Sequence, residues 1–211
     1  MFGRRRDRPV RCRDRDQEVR HTQAQRTRVH CRLLGYTGLR WGEATALRAK
    51  DVDLRRQRLH VVENAVFVRG EVIVGSPKSH KRRSVPFPAL LREGLTEAIA
   101  GKDPEDLVFP GRFGQHQTTP TIRENSWLDR ALISAGLPSM TIHGLRHTTA
   151  SLAVSAGANV KAVQRMLGHA SAAMTLDVYA DLFNDDLDEV AKRLNEAASI
   201  ALDHARPTAL T

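Results

Sequence analysis

Between residues 58 and 87 the chain changes its hydrophobic period, and that switch is the strongest constraint on its fold. RLHVVENAVFV and GEVIVGSPKS are rich in Val and Ile, with a turn at Arg69-Gly70, and KRRSVPF supplies a third short run. β-branched runs bounded by turn residues predict strands. The segment therefore reads as a small three-stranded antiparallel sheet, with a second turn over Pro77 to Arg82. Everything around it has helical spacing. GLRWGEATALRAK favours helix and stops at Asp51-Val52-Asp53. Pro88 opens a helix running to about Ala100, because proline is tolerated in a first turn. Further helices are predicted over Thr121–Ala135, His143–Ala156, Val160–Leu167, a short stretch ending near Tyr179, and Leu182–Leu202. Gly136, Gly157 and Gly168 stop three of them, and Asn159 and Ser171 cap two. The expected class is α+β, mostly helical, with one small sheet.

Residues 1–28 behave differently. The first 27 carry nine arginines against three aspartates and one glutamate, a net charge of +5 out of +9 for the whole chain. Their few apolar residues form no core-facing stripe, which predicts disorder or a poorly packed helix. Order is expected from Val29, where VHCRLLGYTGL gives the first apolar cluster. The expected organisation is a basic segment over 1–28, a folded domain over 29–203 and a tail over 204–211. Overall composition, 41% hydrophobic and 27% charged, is that of a soluble globular protein. No apolar run is long enough to span a bilayer, and no apolar stretch follows the basic N-terminus as in a secretory signal; the expected location is the cytoplasm. Cys12 and Cys31 fit no metal or disulfide pattern. A net positive charge favours a polyanionic partner, nucleic acid first.

Three segments stand out: TGLRWGE at 37–43, HGLRH at 143–147 and LGHASAAMTLDVY at 167–179, with SPKSHKRRSVP at 76–86 between the first two. In this order and spacing they resemble the tyrosine recombinase, or phage integrase, family over roughly residues 30–200. That family is marked by an arginine in a TGLRxGE turn, a hairpin lysine, an HxLRH box, an LGH turn and a tyrosine about ten residues later. The resemblance implies a DNA strand transferase that needs no metal, nucleotide or other cofactor. It implies double-stranded DNA as partner and a homo-tetramer on that DNA.

The chemistry accounts for the residue types. Tyr179 is the implied nucleophile, because a phosphotyrosyl diester conserves the energy of the DNA linkage. A phenol has a pKa of about 10, so it needs positive charge or a proton acceptor to attack near neutrality. Arg40 and Arg146 are the implied phosphate clamp: guanidinium forks donate paired hydrogen bonds and stay charged. His143 lies three residues before Arg146, a spacing that shares a helix face. His169 follows Gly168 at a helix end, and the resemblance gives both histidines to the same phosphate. It gives the proton for the leaving 5′-oxygen to Lys78, with Lys81 as rival. Glu43 is expected to orient the Arg40 turn. Lys81, Arg82 and Arg83 are expected to contact DNA phosphate.

Plainer readings stand beside these. His143 and His147 have the spacing of a metal pair, but the general-base glutamate of HExxH is missing and Arg146 would repel a cation; His147 is read as a structural partner. Tyr179 alone could be a core tyrosine, although Asp177 and Asp181 around it suggest a partly exposed, mobile segment. Lys161 and Arg165 are left open. The chain also departs from the family pattern. Only 39 residues precede Arg40, where the family places a further helical domain, and RDQEVRHTQAQRTR replaces an expected apolar helix. The expectation is a truncated or frameshifted chain whose own activity is in question. The leading function is site-specific recombination or integration through a 3′-phosphotyrosyl intermediate. The alternatives are a silent DNA-binding remnant, DNA relaxation like that of a type IB topoisomerase, and a helix-turn-helix regulator.

Overall fold

The computed structural model describes residues 12–76, 82–111, 113–119, 126–134, 136, 138–179, 191–192 and 194–200, with side chains from residue 25 onward except those at 131 and 134. The first helix, α1, spans Cys12–Thr37. Its basic first half includes much of the segment expected to be disordered or loosely packed. Its last turns carry Val29, Leu33 and Leu34 into the core. Gly38 ends it with φ +63°, a left-handed conformation that glycine adopts without the Cβ penalty. An added Cβ there would sit 2.6 Å from Leu167 Cδ2, so the position demands glycine for space as well.

A five-residue helix, α2 (Trp41–Thr45), follows, and then a 3₁₀ turn at Ala49–Asp51. Where the sequence predicted only a helix stop, Val52–Asp53 forms β1. β2 (Arg58–Val61) pairs antiparallel with it and with β5 (Arg83–Pro86), giving the order β1-β2-β5. The register sets Leu59 against Val85 and Val61 against Arg83. Leu59, Val61 and Val85 face the core while Arg58, His60 and Ser84 face outward, the period-two alternation of a half-buried sheet.

The expected three-stranded sheet is therefore present, but with different membership. The run RLHVVENAVFV breaks at Val62-Glu63. Its second half, β3 (Asn64–Val68), pairs only with β4 (Glu71–Gly75) in a separate hairpin. The two-residue turn uses Arg69 (φ +50°) and Gly70 (φ +92°), the positive-φ pair that matches strand twist. Burial explains the split: β2 and β5 contribute core residues, whereas Val66, Phe67, Val68, Ile73 and Val74 of the hairpin are exposed.

The remaining described helices are α3 (Arg92–Ile99), α4 (Trp127–Ser134), α5 (Ile142–Ser155), α6 (Val160–Leu167) and α7 (Ala172–Tyr179). The start of the expected 121–135 helix lies outside the described residues, as does most of the expected 182–202 helix; residues 194–200 are helical. The caps fall where the sequence put them. Asn159 Oδ1 accepts the Ala162 amide at 2.8 Å, and Ser171 Oγ accepts that of Met174 at 3.2 Å. Thr141 Oγ1 caps α5 through the Gly144 amide at 2.8 Å. α5 packs on α1, fastened by Thr149 Oγ1, which lies within hydrogen-bonding reach of the carbonyls of Leu34 and Gly35. No helix among the described residues is long and apolar enough to cross a membrane.

A stack of rings supports α2 from below. His30 lies between Trp41 and Phe109 with centroids at 5.0 and 4.4 Å, and Trp127 continues the stack beyond Trp41 at 6.3 Å. His30 is buried, its Nε2 has no hydrogen-bond partner, and burial pushes its pKa down to about 3. It is thus held neutral in the fold, while the unfolded chain takes up its proton near pH 6.5. Between those values the unfolded state binds more protons, so His30 lowers stability as pH falls below about 6.5. Replacing His30 with Phe keeps the stack and removes the titration. Relative to that variant, the native chain is expected to lose about 2 kcal/mol of unfolding free energy between pH 7.5 and pH 5. Urea denaturation of both proteins at the two pH values measures this, and parallel losses would refute it.

Candidate active site

The site forms where three chain segments meet: the Gly38–Glu43 turn between α1 and α2, the first turns of α5, and the turn at Leu167–His169 between α6 and α7. Gly168, with φ +68°, ends α6. Its amide donates to Gln164 O at 2.9 Å, as does the His169 amide at 3.1 Å. The turn therefore aims the carbonyls of Leu167 and Gly168 toward the other two segments.

Both arginines bind this turn. Arg146, buried on α5, donates from Nη2 to Leu167 O at 2.6 Å and from Nη1 to Gly38 O. Arg40 reaches the neighbouring carbonyl, Gly168 O, from Nη2 at 3.5 Å. The structure thus brings the two predicted clamp residues together across 106 positions of sequence. Arg40 also binds Glu43 twice, through its amide at 2.8 Å and Nη1 at 3.1 Å.

Glu43 is buried, and Arg83 supplies its second partner: Nη1 to Oε1 at 2.8 Å and Nη2 to Oε2 at 2.7 Å. Burial alone would raise the Glu43 pKa, but the hydrogen bonds and charge of Arg83, followed by those of Arg40, outweigh it and hold the carboxyl below its usual value. Of the two predicted DNA contacts among the described residues, Arg82 and Arg83, it is Arg83 whose side chain turns into the protein. Its side chain is only 10% exposed, and its remaining nitrogen, Nε, donates to Met166 O at 3.2 Å. With the whole fork committed to protein acceptors, it has no paired donors left for phosphate. Arg82 is exposed. Lys78 and Lys81 lie outside the described residues.

The histidines and tyrosine line the same region. His143 and His147 share a face of α5, with rings edge to face at 4.8 Å. Tyr179 Oη lies 2.8 Å from His147 Nδ1. In contrast to the expected exposed segment, Tyr179 is buried at the end of α7, packed with Ala150, Val154, Val163 and Leu167. His169 Nδ1 is paired with the buried Thr175 Oγ1 at 3.0 Å, which leaves Nε2 as its other ring nitrogen. Thr175 had no signal in the sequence, since a threonine inside a short helix is not distinctive.

Electrostatics follow from this crowding. Three guanidinium groups face one carboxylate, so the site is strongly positive. Desolvation lowers the His169 pKa to about 4, with Arg146, Arg40 and Arg83 adding to the effect. His143 is lowered for similar reasons, desolvation first, then His147, Arg146 and Arg40. Arg146 itself is lowered to about 10 by burial and by Arg40, and so remains charged at neutral pH. Burial raises the Tyr179 pKa while the nearby Arg146 charge opposes it. The arrangement is a cationic cluster in which the His143 and His169 imidazoles are kept from protonation and a protonated phenol is hydrogen-bonded to His147 Nδ1.

A family model for the phage integrase family matches residues 14–185. The chain belongs to the phage integrase family. Among curated relatives, this phage integrase family member is 31% identical to the integrase of Mycobacterium phage D29 over 182 residues, covering 82% of the chain and 48% of that protein. It is 29% identical to the tyrosine recombinase XerC of Oceanobacillus iheyensis over 186 residues, covering 83% of the chain and 55% of the relative. The chain spans about half the length of the curated relatives it matches. In fold it is similar to the Tn1549 transposon integrase solved in complex with a circular intermediate DNA, with TM-score 0.67 and 23% identity over 90% of this chain and 68% of that one. The family match begins at residue 14, inside the basic segment that composition alone had set apart.

The Glu43 carboxylate has a measurable weight here. Removing one partner of a buried ion pair leaves uncompensated charge, at a cost of about 3–5 kcal/mol. Glu43→Ala strands Arg83 and frees Arg40, so it is expected to destabilise the fold by about 3 kcal/mol or more. Urea denaturation at pH 7.5 measures it; a loss under about 1 kcal/mol, the value of an exposed pair, contradicts the burial argument.

Proposed function

We propose that this chain is the catalytic domain of a site-specific DNA recombinase, which cleaves and rejoins double-stranded DNA through a phosphotyrosyl intermediate. The observation that carries this reading is the convergence of Arg40 and Arg146 on the adjacent carbonyls of Leu167 and Gly168, with the Tyr179 phenol held beside them by His147. Membership of the phage integrase family and the similarity to XerC support it.

In this mechanism Arg40 and Arg146 exchange part of their carbonyl bonding for the non-bridging oxygens of a DNA phosphate. They stabilise the negative charge that develops as phosphorus becomes pentacoordinate. Tyr179 Oη attacks, its proton passing to a neighbouring acceptor; His147 Nδ1 is already in hydrogen-bond contact with it. The bond from phosphorus to the 5′-oxygen breaks, and that oxygen takes a proton, a task assigned to Lys78. The 3′-phosphotyrosyl ester keeps the energy of the broken diester, so a second 5′-hydroxyl reverses the step and joins a new strand. His143 and the Nε2 of His169 are assigned as hydrogen-bond partners of the same phosphate. Glu43 orients Arg40. Arg82, with Lys81, is assigned to the DNA backbone. The active assembly is a homo-tetramer on DNA, acting in the cytoplasm.

Burial of Tyr179 implies that cleavage includes a movement of α7. A protonated phenol packed against Val154 and Leu167 cannot attack until DNA draws it toward the arginines.

Incubation with a pool of nicked duplexes of randomised sequence tests the reading. A denaturant-resistant protein–DNA adduct is expected, mapped to the Tyr179 peptide by mass spectrometry. Tyr179→Phe should abolish it, and Tyr36→Phe, at an exposed residue, should not. Arg40→Lys keeps a charge but loses the fork and should slow adduct formation by about 100-fold or more, the typical weight of a preorganised donor. Reversible binding with no covalent product would instead identify a silent DNA-binding domain.

A further inference from the structure

Arg83 was expected to face DNA, yet it is the most fully committed guanidinium in the described part of the site. It opens β5. All three of its nitrogens donate: two to the two oxygens of Glu43, and Nε to Met166 O. Each Glu43 oxygen accepts one bond from Arg83 and one from Arg40. Oε1 takes Arg83 Nη1 and Arg40 Nη1, and Oε2 takes Arg83 Nη2 and the Arg40 amide. The fork also lies against Gly168, where an added Cβ would be 3.0 Å from both Cζ and Nε of Arg83. The Gly168 carbonyl is in turn the acceptor of Arg40 Nη2. One side chain thus holds both supports of Arg40, the carboxylate on one side and the α6–α7 turn on the other.

We propose that Arg83 is a positioning residue for the Arg40 guanidinium: it orients and neutralises the buried Glu43 carboxylate and braces the Gly168 turn, so that Arg40 is already aimed when phosphate arrives. This rests on the reading of Arg40 as a phosphate clamp. A lysine cannot replace Arg83, because a single ammonium cannot span two carboxylate oxygens in parallel and also reach Met166 O. β5 is therefore fastened to the Arg40 turn through Glu43.

The simpler alternative is an ion pair that serves folding alone. The two differ in how Arg40 responds to pH once Arg83 is gone. Glu43 faces Arg40 from its own turn, Arg83 from β5 and, without a hydrogen bond, the charge of Arg146 from α5. Without Arg83, the buried carboxyl keeps Arg40 as its one hydrogen-bonded cation, with only the more distant charge of Arg146 beside it, and titrates at higher pH. On protonation it loses its charged hold on Arg40.

The test compares Arg83→Gln, Arg83→Lys and the double variant Arg83→Gln/Glu43→Gln with the native chain between about pH 5.5 and pH 8. Single-turnover adduct formation is followed on the duplexes recovered with the native protein. In parallel, the ¹⁵N–¹H signal of Arg40 Nε, assigned through Arg40→Lys, is followed by NMR. Loss of a charge-assisted hydrogen bond is worth about a tenfold factor or more, so Arg83→Gln is expected to be slower by about that much at pH 8. It should lose about a further tenfold toward pH 5.5, beyond any change in the native chain, with a matching shift of the Arg40 signal. The double variant should stay slow but lose the extra acid limb, having no carboxyl to titrate. Arg83→Lys should be slow with a flat profile. A folded Arg83→Gln protein that follows the native pH profile, with an unmoved Arg40 signal, overturns the proposal. If Arg83→Gln does not fold, Arg83→Lys decides, and a native-like rate and Arg40 signal overturn it. If the native chain forms no adduct, the proposed function fails, and the NMR comparison still settles whether Arg83 positions Arg40.

Discussion

The turn at Leu167–Gly168 is the anchor on which the site depends. Two consecutive carbonyls there accept from two arginines that belong to distant segments. The left-handed backbone at Gly168 makes this possible, since it reverses the chain at the end of α6 and turns those carbonyls outward from the helix axis. A side chain at this position would carry a conformational penalty and crowd the Arg83 guanidinium. Gly38 plays the matching part at the end of α1, where its carbonyl takes the other half of the Arg146 fork. Arg146 is therefore placed by backbone carbonyls at two helix ends, and Arg40 by one neighbouring carbonyl together with the Glu43 side chain.

Charge gives the site its chemical character. Clustering Arg40, Arg83 and Arg146 around a single buried carboxylate is unfavourable in the absence of an anion, and the low pKa of His169 registers that repulsion together with desolvation. Hydrogen bonds to backbone carbonyls and to Glu43 make the cluster tolerable. Tyr179, in the same structure, is packed among aliphatic side chains and bonded to His147.

Much of this architecture could be read from the chain, and the exceptions have physical causes. Helix ends were legible because caps act locally: Asn159, Ser171, Gly157 and Gly168 do their work within a few residues of themselves. The sheet was harder. RLHVVENAVFV has strand character throughout, and nothing local says that its first half joins the core while its second half pairs into an exposed hairpin. That division depends on which residues meet β5 and β1, a long-range fact. Arg83 was misjudged for a related reason. Within KRRS it resembles its exposed neighbour Arg82, and only the register of β5, with Val61 opposite Arg83, turns it toward Glu43. Tyr179 was expected near the surface from its acidic neighbours, but its own position on α7 faces α5 and α6.

The sequence by itself determined the inventory and its local settings. Arginine, histidine and tyrosine stand at family spacing, with glycines where helices must stop and capping residues where they must start, because those preferences are satisfied within one or two turns of chain. Tertiary structure alone decided which groups meet. Glu43 finds Arg83 at a separation of 40 residues, and Arg146 finds Gly38 at 108. Such pairings are set by how α1, α5, α6 and β5 pack around a shared core, and hydrophobic packing is non-directional along the sequence. It leaves no local trace from which a buried ion pair or a hydrogen-bonded tyrosine can be read.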